Sequence, residues 1–401
     1  MINNGDVSFV LISAALVFIM TPGLAFFYGG MVRRTSVLTI MLQSFASMGI
    51  VTTLWFLYGF SLAFGTDFHG IIGGFNYLLL QNVFMAGPNP HYGGTIPLYA
   101  YFAFQEMFAV ITPALITGAF ADRVKFKSYM FFLILWSSFV YIQVTHWVWG
   151  GGFLQQMGFV DFAGGAVVHT TAGMAALASI LIVGSRKFKI DEPHNITYVA
   201  LGTGLLWFGW FGFNAGSALA ANTLAANAFI NTDIAASVAL VTWLIFSWSI
   251  RKQPSIMGAL TGSVAGLAAV TPAAGYVHPW AAAVIGIGAS LACYAAVEFR
   301  KKVKWDDALD VWGVHGVGGI LGIILTGVFA ESAVNHVSGL IQGNVHQFLI
   351  ELLGIGIVAG YSFGLSYLLL KFVNVFMPIR VPENEEKQGL DVELGEEAYR
   401  L

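Results

Sequence analysis

Long apolar segments, each bounded by charged residues, glycine or proline, fill most of the chain. A helix needs about 20 largely apolar residues to cross the roughly 30 Å hydrocarbon core of a bilayer, and the pattern predicts eleven such helices. The predicted spans are 7–31, 37–64, 99–121, 129–148, 162–184, 196–219, 232–250, 255–272, 278–299, 309–332 and 344–376. The segment 71–86 is also apolar, but it is short and contains Asn76, Gln81 and Asn82, so we expect it to be an interfacial segment within a long loop.

The composition agrees with a chain that is surrounded mostly by lipid. It is 57% hydrophobic and 10% charged with a mean hydropathy of +0.75, whereas soluble proteins carry about 25% charged residues. Its 47 glycines fit closely packed membrane helices. The net charge of −3 gives no basic surface for nucleic acid, and the single cysteine, Cys293, excludes an internal disulfide or a thiolate metal cluster. The predicted class is an all-α, multi-pass protein of the cell membrane.

Lysine and arginine predict the orientation, because the cytoplasmic loops of membrane proteins are enriched in both. All 18 of them lie in alternate connections or towards the end of the chain, in 33–34, 123–127, 186–189, 251–252, 300–304 and 371–400. We therefore expect the N-terminus outside, the C-terminus in the cytoplasm and an odd number of spans. The first span runs into FFYGGMVRR rather than a small-residue cleavage site, so we expect no removable signal peptide.

The spans form one predicted transmembrane domain, 1–376, followed by a cytoplasmic tail, 377–401. Within the domain, helices 1–5 (7–185) and helices 6–10 (196–332) have an odd number of spans each, so the halves would have opposite topology. Transporters built from such inverted repeats bind their substrate between the halves. The eleventh helix, 344–376, is then expected to be peripheral.

The fifth and tenth spans begin with related sequences, DFAGGAVVH and DALDVWGVH, in which an aspartate precedes a histidine by eight residues. The pairs are Asp161 with His169 and Asp307 with His315. At 1.5 Å per residue each histidine lies about 12 Å along its helix. Because the two helices enter from opposite sides, both histidines should reach the middle of the bilayer and face each other.

A pair formed by His169 and His315 has two interpretations. A lone histidine in a helix is more often a hydrogen-bonded core residue, but ionisable groups inside membranes are rare and usually line a pathway. Two histidines at one depth favour the second interpretation. Charge is disfavoured away from water, so we expect neutral rings, one donating and one accepting a hydrogen bond. Zinc takes three or four ligands, and the next histidine, His146, is predicted near the outer surface, so we expect no metal site.

Five longer motifs in order make the chain recognisable: HWVWGGG (146–152), DFAGGAVVH (161–169), WFGWFGFNAGS (207–217), DVWGVHGVGG (310–319) and GLDVELGEEAY (389–399). Together they resemble the Amt/Mep/Rh ammonium transporter family, on its prokaryotic Amt side, over essentially the whole chain. The resemblance implies a homotrimer in which each subunit has one pore that conducts ammonia derived from ammonium. It assigns the pore histidine pair to His169 and His315. We expect a transporter or channel, not an enzyme, and no cofactor.

The resemblance also assigns an outer cation site to Trp149, Phe108 and Ser217. Aromatic faces attract a partly desolvated cation, and a hydroxyl accepts an N–H bond that a potassium ion cannot donate. Phe108 and Phe213 match two stacked rings that close the pore below this site. Thr271 is a further expected pore-lining residue.

Asp161 and Asp307 are expected to support the pore rather than to bind the ion. Each begins a span, where a carboxylate caps backbone N–H groups and interacts with the positive end of the helix dipole. For Asp307 a second interpretation is that it balances the basic residues from Arg300 onwards. Trp147 fits an aromatic belt at the membrane surface, and the chemistry of Glu106 assigns it no role.

The tail, 377–401, has two interpretations as well. Its excess of acids is typical of a solvated, mobile segment. Its GLDVELGEEAY stretch instead resembles the family tail that packs on the cytoplasmic face and couples the subunits, although Leu394 stands where the family often has histidine. The resemblance also implies a PII-type nitrogen regulatory protein as a cytoplasmic partner. An ammonium sensor that signals through this tail is the alternative function.

Overall fold

The computed structural model describes residues 1–84, 87–188 and 192–399. Eleven apolar helices lie within these ranges, and all but the eighth are long enough to cross a membrane. They are Asn4–Met31 (α1), Arg34–Phe64 (α2), Leu98–Phe120 (α3), Phe126–Gln156 (α4), Gly165–Val183 (α5), Ile196–Gly216 (α6), Thr223–Arg251 (α7), Ile256–Val270 (α8), Pro279–Lys302 (α9), Trp312–Phe329 (α10) and Val345–Phe376 (α11).

Each of these helices overlaps one predicted span, so the predicted class of helical membrane protein is confirmed. α8 has only 15 residues and ends at Val270, two residues before Pro272, which has no backbone N–H to continue the helical hydrogen bonds. The crossing of the membrane by all eleven helices, the orientation and the inverted repeat stay predictions. Lys189 and Arg400, two of the basic residues that predict the orientation, lie outside the described residues.

The predicted interfacial segment, 71–86, contributes to a small hairpin, and its last two residues lie outside the described ranges. Asp67–Phe68 (β1) pairs antiparallel with Ile72–Gly73 (β2), and a 3₁₀ turn follows at Leu78–Leu80. His146 of α4 fastens the hairpin, since its ring nitrogens lie 2.8 Å from the Ala63 carbonyl oxygen and 2.9 Å from the Asp67 carboxylate. The hairpin is therefore held to the predicted outer end of α4.

π-helical turns open both helices that carry the predicted pore histidines. Gly165–Thr170 in α5 contains His169, and Trp312–Gly316 in α10 contains His315. A π turn is rare in helices and is frequently found at functional sites, and α2 and α4 each contain one as well. This shared irregularity is a local likeness between the starts of α5 and α10, in addition to the aspartate that precedes each one.

Glycines let the paired helices approach closely. α5 crosses α10 where Gly173 meets Gly316, and a β-carbon on Gly173 would lie 2.1 Å from the Cα of Gly316. α1 meets α6 at Gly202, where a β-carbon would lie 2.3 Å from the backbone nitrogen of Phe27. Any side chain at either glycine would push the helices apart. Since Gly316 follows His315 directly, the first crossing also sets the distance between the two imidazoles.

Buried ion pairs join the connections on the predicted cytoplasmic side. Arg123 donates to one oxygen of Asp306 at 2.7 Å, and Arg186 donates to both oxygens, at 3.1 and 2.9 Å. Burial alone would raise the pKa of Asp306, but the hydrogen bonds and charge of Arg186, with the charge of Arg123, hold it well below its ordinary value. Because a buried pair is costly to break, these contacts tie the ends of three helix pairs together.

The tail lies against these connections, and it includes a short helix, Glu383–Gln388 (α12). The Asp391 carboxylate accepts hydrogen bonds from the N–H groups of Leu38 and Thr39 at 3.2 and 2.8 Å, at the start of α2. Glu393 accepts one from the N–H of Phe126 at 3.1 Å, at the start of α4. Acids of the tail thus cap helices of the membrane domain. These contacts favour the packed tail over the mobile one.

Candidate functional site

A cavity of about 320 Å³ opens among the predicted outer ends of α3, α4, α5 and α6. Its lining includes Trp149, Asp161 and Ser217, together with Tyr101 and Gln105. Two of the three residues assigned to the outer cation site, Trp149 and Ser217, therefore face one cavity. The lining combines aromatic rings with polar side chains.

Three aromatic rings lie in contact inward from the Trp149 wall of the outer cavity, and Phe108, the third residue assigned to the cation site, is buried and is not among the residues that line the cavity. Phe108 stands edge to face with Trp149, with ring centroids 5.9 Å apart and an interplanar angle of 89°. Phe108 also lies on Phe213, with centroids 4.2 Å apart at 34°. Phe213 lines a second, inner cavity. A molecule that passes from the outer to the inner cavity therefore has to displace the Phe108 and Phe213 rings.

The inner cavity contains the two predicted pore histidines. Its volume is about 10 Å³, which is room for about one water-sized molecule. The Nδ1 atoms of His169 and His315 lie 3.3 Å apart, and the ring planes are inclined by 29°. With both rings neutral, one Nδ1 donates to the other. His169 Nε2 is buried and has no hydrogen-bond partner among the described residues, so it is free to bond a molecule in the cavity.

Both carboxylate oxygens of Asp161 cap the start of α5. The two oxygens accept hydrogen bonds from the backbone N–H groups of four consecutive residues, 164–167, at distances of 2.7 to 3.1 Å. The backbone carbonyl of Asp161 accepts a further bond from the indole N–H of Trp149 at 2.8 Å. One residue thereby fixes both the first turn that carries His169 and the indole at the outer cavity. These contacts fit the expected supporting role.

Asp307 makes the equivalent contacts at the start of α10. Its carboxylate accepts hydrogen bonds from the N–H groups of Val311 and Trp312 at 3.0 and 2.7 Å. The side chain that pairs with Arg300 is Asp310. The geometry thus favours the capping interpretation of Asp307 over the charge-balancing one.

Trp210 packs against His169, although it is not among the predicted site residues. The two ring centroids are 5.3 Å apart, and the indole N–H donates to the Thr271 hydroxyl at 2.9 Å. Thr271 is fully buried and donates in turn to the Leu267 carbonyl oxygen at 2.8 Å. Thr271 therefore acts on the inner cavity through Trp210. Trp210 precedes Phe213 by three residues, a spacing that places both on one helix face, and this signal could have identified it.

Glu351 of α11 was also missed. It is fully buried, and its Oε1 accepts hydrogen bonds from the backbone N–H of Val160 at 3.0 Å and from Gln347 Nε2 at 2.6 Å. It therefore holds the backbone next to Asp161. An ionisable residue inside an apolar span is itself a signal of function, and this signal was present in the sequence.

The structure also shows the surroundings of Trp147 and Glu106. Trp147 is only 8% exposed, its indole N–H donates to the Ile71 carbonyl oxygen at 2.9 Å, and its ring packs on Tyr361. The expectation that it belongs to a membrane-surface belt is wrong, because the hairpin and α11 cover it. The Glu106 side chain is buried close to Thr52 of α2.

The described part of the chain has no group of three or more histidine, cysteine, aspartate or glutamate side chains that could hold a metal ion. The inner cavity offers two imidazoles that already face each other. The arrangement therefore suits hydrogen bonding to a small neutral molecule.

Similarity to known proteins identifies the family of this chain. The model of the Ammonium Transporter Family matches residues 8–399. The chain belongs to this family. It is 47% identical to a putative ammonium transporter of Methanothermobacter thermautotrophicus over 100% of both chains. It is 43% identical to the ammonium transporter Amt1 of Archaeoglobus fulgidus, over 98% of this chain and 99% of that one.

Solved structures of other proteins share the fold. The crystal structure of Mep2 from Saccharomyces cerevisiae matches with a TM-score of 0.89 and 33% identity, over 96% of this chain and 88% of that one. A protein described as a Sensor Amt Protein matches with a TM-score of 0.90 and 32% identity, over 97% and 98% of the two chains. This member of the ammonium transporter family is therefore a multi-pass transport protein of the cell membrane and not an enzyme.

Proposed function

We propose that this ammonium transporter captures ammonium in the outer cavity, removes its proton and conducts ammonia past His169 and His315. The observation that carries the proposal is the change of environment between the two cavities. The outer one is roomy and lined by aromatic and polar groups, whereas the inner one holds about one small molecule among apolar side chains and the histidine pair.

Capture rests on the groups that remain free around the outer cavity. The ring faces of Trp149 and Phe108 attract a cation. The Ser217 hydroxyl donates to the Phe213 carbonyl oxygen at 2.9 Å, which leaves the lone pairs of its own oxygen to accept an N–H bond. Potassium is similar in size but carries no hydrogen. Ammonium is therefore bound in preference to potassium.

Deprotonation follows from the cost of desolvation. Moving an ion into an apolar site of this size costs several kcal/mol or more unless it is paired, and the inner cavity offers no anionic side chain among its described lining residues. Ammonium therefore gives its proton to water in the outer cavity or to the histidine pair. Ammonia then crosses as a neutral molecule and exchanges hydrogen bonds with the imidazole nitrogens.

The proposal extends to assembly and regulation. Each subunit holds its own pore, three subunits form the transporter, and a PII-type nitrogen regulatory protein binds the basic cytoplasmic connections. The alternative is an ammonium sensor that signals through the tail. Two observations support this second function. The chain is similar to a Sensor Amt Protein, and Asp391 and Glu393 of the tail contact the starts of α2 and α4.

Fluxes of ammonium and of potassium into proteoliposomes test the proposed function. We expect His169→Ala to fold and to bind ammonium outside, but to lose selectivity for ammonium over potassium by about tenfold, because one hydrogen-bonding partner worth roughly 1–1.5 kcal/mol is removed. His346→Ala, at an exposed position on α11, is the matched control. If His169→Ala carries ammonium at the parental rate and still excludes potassium, the histidine pair is core packing and the proposal fails.

A further inference from the structure

We propose that Gln105 is a further ammonium ligand in the outer cavity, with its side-chain carbonyl oxygen accepting an N–H bond from the cation. This inference rests on the proposed function, since it takes ammonium as the occupant of the cavity. It adds a neutral acceptor on α3 to the rings of Trp149 and Phe108 and to the hydroxyl of Ser217.

Gln105 has the position that a ligand needs. It lines the same cavity as Trp149 and Ser217 and is only 7% exposed. It precedes Phe108 by three residues on α3, so the two side chains lie on neighbouring positions of one helix face. A cation held against the Trp149 ring in this cavity shares the same space as the Gln105 amide.

The hydrogen bonds of Gln105 leave its carbonyl free. Nε2 donates to the Tyr101 hydroxyl oxygen at 3.2 Å, whereas Oε1 is buried without a hydrogen-bond partner among the described residues. Nearly all buried polar atoms in proteins have a partner, so a bare carbonyl beside a cavity needs an explanation. The last torsion of glutamine is soft, and a small rotation turns Oε1 towards a bound cation.

Tyr101 holds the amide in this orientation. Its ring stacks on Tyr92 with centroids 5.1 Å apart and meets Phe64 edge to face at 4.9 Å. The hydroxyl therefore stays in place to accept from the NH₂ group. The opposite orientation of the amide would direct N–H donors at the cavity, which suits an anion and opposes ammonium.

A second glutamine in the same cavity provides the control. Gln155 also lines the cavity, but its Oε1 already accepts a hydrogen bond from the Gly151 N–H at 2.7 Å. The two residues thus have the same chemistry and share one cavity, and they differ in whether the carbonyl is free. Only the replacement of Gln105 should therefore change the ammonium concentration that gives half-maximal flux.

The test measures initial ammonium flux against ammonium concentration in proteoliposomes. For Gln105→Leu we expect the half-saturating concentration to rise by about fivefold to tenfold, as for the loss of one hydrogen bond to a charged group, with the maximal rate within about twofold of the parental value. Gln155→Leu should leave both within about twofold. Gln105→Glu, which keeps the shape and adds negative charge, should lower the half-saturating concentration.

The outcomes separate this inference from the proposed function. An unchanged half-saturating concentration in Gln105→Leu, or an equal rise in both leucine variants, overturns the assignment of Gln105 and leaves the proposed function intact. If Gln105→Leu is not recovered as folded protein, Gln105→Glu decides, and a half-saturating concentration at or above the parental value overturns the assignment. A parental protein without saturable ammonium flux overturns both.

Discussion

Three polar side chains at the outer cavity, those of Trp149, Ser217 and Gln105, each donate a hydrogen bond to another part of the protein. The Trp149 indole N–H and the Ser217 hydroxyl donate to backbone carbonyl oxygens, and the NH₂ group of Gln105 donates one hydrogen bond to the Tyr101 hydroxyl oxygen. What remains for a ligand is a ring face, a hydroxyl lone pair and an amide oxygen. All three are electron-rich, so the cavity suits a cation that carries hydrogens.

Replacement of Trp149 tests this view of single residues. Trp149→Leu removes the ring face, so the half-saturating ammonium concentration should rise by about fivefold to thirtyfold, equivalent to 1–2 kcal/mol for a desolvated cation–π contact. The maximal rate should change less. The measurement is flux against ammonium concentration in proteoliposomes.

Trp149→Phe separates the ring from the indole N–H. It keeps an aromatic face but loses the bond to the Asp161 carbonyl, so its half-saturating concentration should lie between the parental and leucine values. An unchanged value in Trp149→Leu would remove Trp149 from the cation site.

Among the elements, the helices were predictable and their irregularities were not. Hydropathy predicts the position of a span because the segment of the chain that crosses the lipid is largely apolar. This criterion predicts the regions of α1 to α11. The aspartate caps of α5 and α10 were also predictable, since each acid begins a span. The π turns around His169 and His315 have no counterpart in the hydropathy pattern, because an inserted residue in a helix leaves the apolar run unbroken.

Glu351 shows how one element positions another. It joins α11 to the backbone just ahead of α5, and its Oε2 has no hydrogen-bond partner among the described residues. Glu351→Leu should destabilise the protein by about 1–3 kcal/mol, because the part-buried N–H of Val160 and the buried amide of Gln347 lose their acceptor. It should also raise the half-saturating ammonium concentration, since the segment that bears Asp161 moves.

Glu351→Gln is the matched control, because it keeps an oxygen for Val160. Thermal unfolding in detergent and flux against ammonium concentration are measured for both variants. If the leucine variant unfolds at the parental temperature, Glu351 does not hold the start of α5. If Glu351→Gln is as unstable and as impaired in flux as Glu351→Leu, the negative charge of Glu351 is required rather than its hydrogen bond to Val160.

At the scale of the whole molecule, the contacts that join distant parts of the sequence were the hardest to predict. The motif around Asp391 was recognisable, but its bond to Thr39 links residues 352 positions apart. Composition alone favoured a mobile tail, because acids in a polar segment are usually solvated. In the fold, the exposed N-termini of α2 and α4 offer those acids unpaired N–H groups, and capping outweighs the loss of chain entropy.

The orientation and the number of crossings depend on α8. Its 15 residues span about 22 Å at 1.5 Å per residue, less than the roughly 30 Å core. The chain can complete the crossing as a turn, because non-helical backbone is tolerated at depth where protein surrounds it. Thr271, Ala273 and Val277 after α8 are all fully buried. We therefore predict that α8 crosses.

Two cysteine variants test both the count and the orientation. The native Cys293 is buried, so an impermeant maleimide should not label the parental protein on intact cells. Gln253 precedes α8 and Ala333 follows α10, and both are exposed. Ala333→Cys should be labelled on intact cells, whereas Gln253→Cys should be labelled only after permeabilisation, because three crossings separate the two sites. Labelling of both from one side would mean that α8 does not cross, and the reverse pattern would place the basic connections outside the cell.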